Sequence, residues 1–470
     1  MINVSLQWIA EKIDARIIGT DNAVSIVVDT VSTDTRKSLQ GALFIALRGH
    51  NFDAHEFIQQ AADQGAKAII CEKPADVDLP QLIVEDSRYA LGQLGAAVKA
   101  EVAPKTVAIT GSNGKTTVKE MLASILSQRH SVLATQGNFN NDIGVPLTLL
   151  RLTPEHEYAV IELGANHPGE IAYTTALTKP DVAILNNVSA AHVEGFGSIQ
   201  GVARAKTEIF RGLPEDGLAI TTIHSEFLPC WQRNREGKRW HTFGLDNNAD
   251  VYATDVKLDD EGCASFSLNL FEHHTSISLQ LSGRHNVLNA LAASAAAYEL
   301  GVSLVDIING LEAVQPVAGR LTTSKLSEQV RLIDDTYNAS VASTKAALDL
   351  LGGYKGYRIM VLGDMGELGP DSRAYHEEIG DHALQCDIDN LYTLGVLSQS
   401  ASEVFNGKGG RHFSSVDELV AAILQNITQQ HSDRVVTVLV KGSRSAQMER
   451  VVNALKQQIT LSAAEDQHAC

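Results

Sequence analysis

The chain has 470 residues, of which 44% are hydrophobic, and its formal net charge is -18 at pH 7. At about 150 residues per domain, this length suggests three domains with substantial cores. The sequence has neither the clustered basic residues of nucleic-acid binders nor an apolar run of about 18 residues. We therefore expect no nucleic-acid partner and no membrane span.

The cysteines are scattered along the chain and no pair of them has C-x-x-C spacing, which indicates neither a zinc site nor a disulfide framework. They are Cys71, Cys230, Cys263, Cys386 and Cys470. This usage fits a reducing compartment. The first residues include acidic side chains and lack a basic start followed by an apolar run, so we expect no secretory signal and a cytoplasmic location.

Short β-branched runs alternate with amphipathic helical stretches, which predicts an α/β fold. The predicted strands are 106–110, 158–163, 181–188, 331–335, 357–364, 391–395 and 435–442. A predicted helix at 90–102 leads from a small first unit into the strand at 106–110. Pro316 and Gly319 later interrupt a helical pattern. The expected domains are 1–86, 87–315 and 316–470.

The run "VAITGSNGKTTVKEML" (107–122) resembles a phosphate-binding loop with an unusual glycine spacing. The common pattern G-x-x-x-x-G-K-[ST] would place its first glycine where Ile109 stands, whereas Gly111 lies only three residues before Gly114. A β-rich run precedes the glycines, and apolar residues at helical spacing follow them. Such a strand, turn and helix directs backbone N–H groups at phosphate, although an ordinary corner between strand and helix is the alternative.

In this interpretation Lys115 supplies a cation to the outer phosphates of a nucleotide, and Thr116 places a hydroxyl on Mg²⁺. The predicted loop contacts with ATP come from Gly111, Ser112, Asn113, Gly114, Lys115, Thr116 and Thr117.

Three further side chains are candidates for a metal site, and the residues alone leave each of them open. Glu162 ends a buried-looking strand, where it either meets a cation or faces solvent. His192 lies in a turn-rich segment, where a structural role is the commoner outcome. Lys206 shares a helix face with apolar residues, where it either snorkels to solvent or has a chemical task.

Seven segments spread over nearly the whole chain resemble the Mur ligase family, whose members make amide bonds with ATP. They are 32–57, 137–150, 190–209, 282–293, 332–340, 361–369 and 439–449. The loop T-G-x-x-G-K-[ST] is similar to the family's loop as well. The resemblance implies three domains, with a central parallel sheet like that of P-loop NTPases and a Rossmann-like C-terminal domain.

The resemblance also implies a metal centre. In that family the lysine that matches Lys206 is carbamylated by CO₂, which turns a buried cation into an anionic Mg²⁺ ligand. Glu162 and His192 match further metal-site positions. We therefore expect two Mg²⁺ ions, held by Thr116, Glu162, His192 and carbamylated Lys206, with Lys115, Glu162, His192 and Lys206 as the catalytic set.

Nucleotide contacts outside the loop are implied in the same way. Asn286 and Asn289 lie one helical turn apart and are expected at the adenine, although a helix cap at Asn286 is an equal alternative from the sequence. Arg320 is expected at the ATP phosphates. Asp335 and Tyr337 match residues near the ribose, and Asn338 is assigned to the substrate. After Ala339 many members continue with Asn-Pro, whereas this chain has Ser340-Val341, which leaves the local turn open.

The remaining assignments concern the substrates. Ser32, Arg36 and Arg48 match a segment associated with UDP-sugar binding, and arginine suits a pyrophosphate by charge and geometry. Asn140 and Asn141 are expected near a muramoyl peptide. A further set follows the last predicted strand and could hold a peptide carboxylate: Lys441, Ser443 and Arg444.

Within the family, the segments are most similar to the branch that joins D-alanyl-D-alanine to UDP-N-acetylmuramoyl-tripeptide in peptidoglycan synthesis. We expect these two substrates as the small-molecule partners of a monomer in the bacterial cytoplasm. Diamino-acid-adding ligases usually carry a D-N-P-R motif that this sequence lacks. The competing functions are those of folylpolyglutamate synthetase, of a small-molecule kinase and of a nucleotide-binding regulator.

Overall fold

The computed structural model describes residues 1–19, 22–49, 52–233, 237–430 and 434–468, with the side chains of 429–430 and 460–468 left out. Cys470 therefore lies outside the described residues. Within these ranges the strands form four sheets, most of whose pairings are parallel, and helices cover them. The predicted α/β class is confirmed.

The first unit is built on a mixed sheet with strand order β2-β7-β6-β5-β4 and a small antiparallel pair β1-β3. Its strands are β1 (Val4–Ser5), β2 (Arg16–Ile18), β3 (Val27–Val28), β4 (Val31–Ser32), β5 (Leu43–Ile45), β6 (Ala68–Cys71) and β7 (Gln81–Ile83). Its helices are α1 (Leu6–Ile13) and α2 (Ile58–Asp63).

The central unit holds the largest sheet of the described chain, with order β16-β15-β14-β13-β12-β11-β8-β10-β9. Its strands are β8 (Lys105–Thr110), β9 (Val132–Ala134), β10 (Tyr158–Glu162), β11 (Val182–Leu185), β12 (Leu218–Thr222), β13 (Arg239–Gly244), β14 (Val251–Leu258), β15 (Cys263–Leu270) and β16 (His273–Ser282). Its helices are α3 (Ser87–Val102), α4 (Lys115–Leu126), α5 (Gly144–Leu149), α6 (Glu170–Thr178), α7 (Val193–Phe196), α8 (Ile199–Thr207), α9 (Leu228–Arg233), α10 (His285–Glu299) and α11 (Leu304–Ala313).

The third unit contains a sheet of order β17-β18-β22-β19-β20-β21, parallel except at the β17 edge. Its strands are β17 (Thr322–Lys325), β18 (Val330–Asp335), β19 (Tyr357–Gly363), β20 (Asn390–Leu394), β21 (Gly410–Phe413) and β22 (Val436–Lys441). Its helices are α12 (Val341–Gly353), α13 (Ser372–Gln385), α14 (Gln399–Val404), α15 (Val416–Gln425) and α16 (Glu449–His468).

The central strands of the largest sheet are apolar on both faces because helices cover both sides. Val107 and Ile109 of β8 pack in one core with α4 and α10, while Ala108 packs on the opposite face. That opposite core also contains α1 and β6 of the first unit, so the first unit and the central sheet share apolar packing. A parallel strand buried on both faces is expected to be continuously apolar, as β8 is.

The predicted strands are confirmed, but the one predicted at 181–188 was too long. β11 ends at Leu185, because the amides of Asn186 and Asn187 turn toward the phosphate loop. The antiparallel strands β14, β15 and β16 were missed, since their alternation mixes serine and threonine with apolar residues. The domain limits 1–86, 87–315 and 316–470 fall between these sheets, and we propose them on that ground.

None of the helices in the described ranges combines the length and apolar character that crossing a bilayer requires.

Candidate active site

The carboxyl ends of three neighbouring parallel strands meet at one edge of the central sheet. Glu162 at the end of β10 is paired with Ile109 of β8, and Leu185 at the end of β11 is paired with Thr110. The segments that follow these strands line a cleft of about 1290 Å³, together with residues of the third unit. Ligands of open parallel sheets bind at this edge.

The glycine-containing loop after β8 is held by the amides that follow β11. The backbone N–H of Asn113 donates to Oδ1 of Asn187 at 2.8 Å. The Nδ2 groups of Asn186 and Asn187 both donate to the carbonyl of Asn113 at 3.0 Å. Sequence reasoning missed this pair, although two asparagines directly after a buried strand were a usable signal.

Gly114 ends this loop and directly precedes α4. Its φ is +78°, a left-handed conformation that glycine adopts without strain. A Cβ at this position would lie 2.4 Å from Oδ1 of Asn289 and 2.6 Å from Nδ2 of Asn186. The close approach of these amides explains why a glycine stands here despite the shortened spacing.

Lys115 begins α4, and its side chain folds back over the loop. Its Nζ donates to the carbonyl of Gly111 at 2.8 Å and more weakly to that of Ser112 at 3.4 Å. Burial lowers the pKa of Lys115, and the carboxylate of Glu162 opposes that shift. The ammonium therefore lies above the loop, where the phosphates of a nucleotide would enter.

The predicted metal ligands Thr116 and Glu162 lie together. The Thr116 hydroxyl donates to Oε2 of Glu162 at 2.9 Å, and Nδ2 of Asn140 donates to Oε1 at 2.8 Å. Glu162 is 2% exposed. A buried carboxylate beside a hydroxyl forms the oxygen donor set that Mg²⁺ prefers, so these residues fit the ion.

Arg320 of the third unit reaches this group. Its Nη2 donates to Oγ1 of Thr116 at 3.1 Å, and its guanidinium lies 4.3 Å from the ring centroid of Tyr337. Stacking on an aromatic face and a fixed fork of donors suit arginine to phosphate. The structure thus places Arg320 beside the loop, where a contact with phosphate was predicted.

Lys206 on α8 is 1% exposed. Burial lowers its pKa well below the ordinary value, and the nearby Lys115 ammonium lowers it further. Within the described part of the chain, no carboxylate lies in ion-pair range of its Nζ. The side chain does not snorkel to solvent, so one of the two alternatives for Lys206 is wrong.

His192 precedes α7 and lines the cleft. Its Nδ1 contacts a carboxylate oxygen of Glu367, which belongs to the loop after β19 in the third unit. Sequence reasoning did not single out Glu367, since nothing near it in the sequence marks an approach to His192.

Lys441 at the end of β22 is 2% exposed. Its ammonium donates to Oδ2 of Asp335 at 2.5 Å and to the carbonyl of Asn338 at 2.9 Å. Asp335 ends the neighbouring strand β18 and also accepts from the backbone N–H of Leu321 at 3.3 Å. Asp335 was predicted to contact the nucleotide and Lys441 to contact the substrate. The structure pairs these two side chains, and their contacts with ligands stay predictions.

Ser340 resolves the turn that the sequence left open. It is the N-cap of α12 and accepts from the backbone N–H of Ser343 at 3.3 Å. Its hydroxyl also donates to Oδ1 of Asn113 in the phosphate loop at 2.8 Å. Ser340 thus caps a helix and also binds the central unit.

Asn286 and Asn289 lie on α10 and line the cleft. Asn289 accepts from Nδ2 of Asn186 at 2.9 Å and donates to Oδ1 of Asn286 at 2.9 Å, while Asn286 donates to the carbonyl of Ser282. Both amides thus support the loop in this structure, and their contact with adenine stays a prediction. Thr117 lines the same cleft.

The other predicted substrate residues have protein partners in the structure. The guanidinium of Arg36 is 88% exposed and pairs with Asp34 at 2.9 Å, while Arg48 pairs with Asp53 at 3.0 Å. These two arginines and Ser32 belong to the first unit and do not line the central cleft. The remaining three predicted residues do line it: Asn141, Ser443 and Arg444.

Family models cover most of the chain. The Mur ligase middle domain matches residues 109–297, the glutamate ligase domain of Mur ligases matches 319–460, and the catalytic domain of the Mur ligase family matches 27–130.

Full-length relatives agree with these matches. The UDP-N-acetylmuramoyl-tripeptide–D-alanyl-D-alanine ligase of Escherichia coli K12 is 46% identical over 97% of this chain and 99% of its own length. The ligase of the same name from Bacillus subtilis 168 is 34% identical over 97% and 99%.

Solved structures agree as well. A crystal structure of MurF from Acinetobacter baumannii has a TM-score of 0.93 at 38% identity, covering 97% of this chain and 99% of that one. MurF from Thermotoga maritima in complex with ADP has a TM-score of 0.82 at 29% identity over 92% and 97%. Because these matches extend over nearly its whole length, the chain belongs to the Mur ligase family.

Proposed function

We propose that this protein is an ATP-dependent, ADP-forming ligase that joins D-alanyl-D-alanine to UDP-N-acetylmuramoyl-tripeptide. The product is the pentapeptide precursor of peptidoglycan, and the reaction belongs in the bacterial cytoplasm, where the nucleotide substrates are found. The relatives named for this activity support the proposal over their full length. The single observation in the structure that carries it is the meeting of Lys115, Thr116, Glu162 and Arg320 at one cleft.

The chemistry begins when a carboxylate oxygen of the tripeptide attacks the γ-phosphorus of ATP and ADP leaves. Both reactants are anions, so the protein has to lower their mutual repulsion. The Lys115 ammonium contacts the Gly111 carbonyl and Arg320 contacts Thr116, so the two residues supply two cations where negative charge accumulates. Fixed positive charge in a cleft that excludes water stabilises such a transition state strongly.

The amine of D-alanyl-D-alanine then attacks the acyl carbon of the acyl phosphate. The C–O bond to phosphate breaks, inorganic phosphate leaves with the former carboxylate oxygen, and the amine loses a proton as the amide forms. Ser340 and Arg320 of the third unit bind Asn113 and Thr116 at the loop. We expect this docking to limit the access of water to the acyl phosphate. Hydrolysis of that intermediate would waste ATP, so the docked arrangement protects the reaction.

Thr116 and Glu162 would hold Mg²⁺, and His192 with a carbamate on Lys206 would hold a second ion. Bound there, Mg²⁺ neutralises phosphate charge and polarises the phosphoryl oxygens. Burial strongly lowers the pKa of Lys206, which favours the unprotonated amine that adds CO₂ at its nitrogen and releases one proton to give the carbamate. The carbamate would supply an anionic oxygen ligand to the ion.

The family resemblance assigns further residues to the nucleotide sugar, the peptide and the nucleoside. Ser32, Arg36 and Arg48 would hold the UDP-sugar end in the first unit. Asn140 and Asn141 would lie near the muramoyl peptide, and Asn338, Lys441, Ser443 and Arg444 near the peptide carboxylate. Asn286, Asn289, Asp335 and Tyr337 would bind the nucleoside of ATP.

The proposal is tested by the release of ADP from purified protein that is given ATP, Mg²⁺ and UDP-N-acetylmuramoyl-tripeptide. Turnover is expected when D-alanyl-D-alanine is added and not when D-alanine or a diamino acid replaces it. Equal turnover with a diamino acid would assign the chain to another branch of the family. Phosphate transfer without any amine would make it a kinase.

A further inference from the structure

The loops that carry His192 and Glu367 meet between the central and third units. His192 Nδ1 contacts the Glu367 carboxylate, and the backbone N–H of Glu194 donates to the carbonyl of Glu367 at 3.2 Å. The contact therefore involves both a side chain and the backbone of the same residue. Two segments distant in the sequence are held together at the edge of the cleft.

Both residues have a left-handed backbone conformation that residues other than glycine seldom adopt. His192 has φ +55° and Glu367 has φ +61°. Non-glycine residues in the left-handed region are uncommon, and they persist where the surroundings demand them, often at functional sites. Here the left-handed conformations occur at His192 and Glu367, the two residues that form the contact.

The loop of Glu367 is firmly anchored within the third unit. The backbone N–H of Gly366 donates to Oγ of Ser443 at 2.6 Å, and that of Met365 donates to Nε2 of the buried His376 at 3.0 Å. The Glu367 side chain is 55% exposed, so burial alone does not explain its orientation. Its carboxylate is thus presented to His192 by a rigid support.

We propose that Glu367 is a positioning residue that orients His192 for metal binding only when the third unit is docked on the central unit. Because Nδ1 faces the Glu367 carboxylate, we expect the proton on Nδ1 and the lone pair of Nε2 available to a cation in the cleft. Histidine ligands commonly depend on such a carboxylate for ring orientation and basicity. The inference rests on the proposed function, because it assigns His192 to the metal site.

A Mn²⁺ titration followed by electron paramagnetic resonance, with ADP present, tests the proposal without turnover. Glu367→Ala is expected to weaken the binding of one Mn²⁺ by about 10- to 100-fold, the usual effect of losing such a partner. Glu367→Gln keeps an acceptor for the Nδ1 proton and should retain most of the affinity. Glu377→Gln, which disrupts a pair with Arg373 inside the third unit, is the matched control and should bind as the wild type does.

The same titration in a His192→Ala background completes a double-mutant cycle. There, Glu367→Ala should have no further effect on Mn²⁺ binding, since the residue acts through the imidazole. An equal loss in both backgrounds, or no loss in either, would overturn the positioning role. Because Mn²⁺ binding is measured without substrate, a failure of the ligase assay and a failure of this inference give separate results.

Discussion

Lys206 shows at the scale of one residue how burial creates reactivity. A lysine in water is protonated, whereas burial and the charge of Lys115 lower the pKa of this amine far from its ordinary value. The sequence indicated only that Lys206 shares a helix face with apolar residues. That no carboxylate among the described residues pairs with it depends on the packing of α8, which residue patterns do not predict.

We expect Lys206→Ala to lose most ligase activity, at least about 100-fold in kcat, because the carbamate would no longer stabilise the transferred phosphoryl group. Added bicarbonate should not restore the rate, since no amine remains to react. Lys257→Ala, at an exposed position of β14, is the control and should keep full activity. Near wild-type turnover of the Lys206 variant would refute the carbamate role.

We expect the free energy of unfolding to depend on pH because of His285, the first residue of α10. Burial, with a smaller effect of the Lys441 ammonium, lowers its pKa from 6.5 to about 4. Between these values the unfolded chain binds a proton that the folded chain refuses, so stability falls as the pH is lowered. The side chain keeps some exposure, and we therefore expect a loss of about 1 to 2 kcal/mol between about pH 7 and pH 5.

Urea unfolding of the wild type and of His285→Asn at both pH values measures this effect. The variant lacks the titrating group and should lose less stability on acidification, so the two free energies of unfolding converge. Parallel behaviour of the two proteins would show that His285 does not carry the acid sensitivity.

At the scale of elements, the sequence predicted the strand β8, the helix α4 and the turn between them, because those patterns are local. The supports of that turn are not local. Asn186, Asn187 and Asn289 reach it from β11 and α10, and only the strand order of the sheet brings them there. For the same reason the contact with Glu367 could not be predicted.

Gly114→Ala tests the packing of the loop. The added Cβ would clash with the side chains of Asn289 and Asn186. The alanine backbone would also be strained, because residue 114 has a left-handed conformation that alanine rarely adopts. We expect the dissociation constant of ATP, measured by titration calorimetry, to rise about tenfold or more, which corresponds to about 1.4 kcal/mol.

Gly169→Ala is the matched control for backbone strain. Its φ is +89°, but apart from its chain neighbours no atom of the described residues lies within 4 Å of the position of a Cβ. It should lose stability without a change in ATP affinity. If both variants bind ATP as the wild type does, the amides around Gly114 do not shape the phosphate site.

Ser340 connects helix α12 of the third unit to the loop of the central unit, since it caps α12 and also donates to Asn113. Ser340→Ala should cost about 1 kcal/mol of stability through the lost cap and should also raise the KM for ATP several-fold. Ser415→Ala, which removes the N-cap of α15 within the third unit, should show the loss of stability alone. Identical kinetics of the two variants would argue against a role of Ser340 in the docking of the units.

For the whole molecule, the chain length suggested three domains and the alternation of elements predicted an α/β fold, and the structure confirms the α/β class. The docking of the third unit on the central unit was not predictable from residue patterns, because the contacts that join them involve segments distant in the sequence. Arg320 with Thr116, Ser340 with Asn113, and Glu367 with His192 all join the third unit to the central one. The candidate site is therefore complete only in the docked arrangement, because residues of both units line the cleft.

The central claim is that the tripeptide carboxylate attacks ATP at the loop that ends with Gly114. The most direct test supplies tripeptide whose terminal carboxylate carries ¹⁸O, together with ATP and D-alanyl-D-alanine, and determines the isotope content of the released phosphate by mass spectrometry. The acyl-phosphate chemistry predicts one ¹⁸O atom in each phosphate formed with the amide. Phosphate free of ¹⁸O alongside normal amide formation would contradict the account.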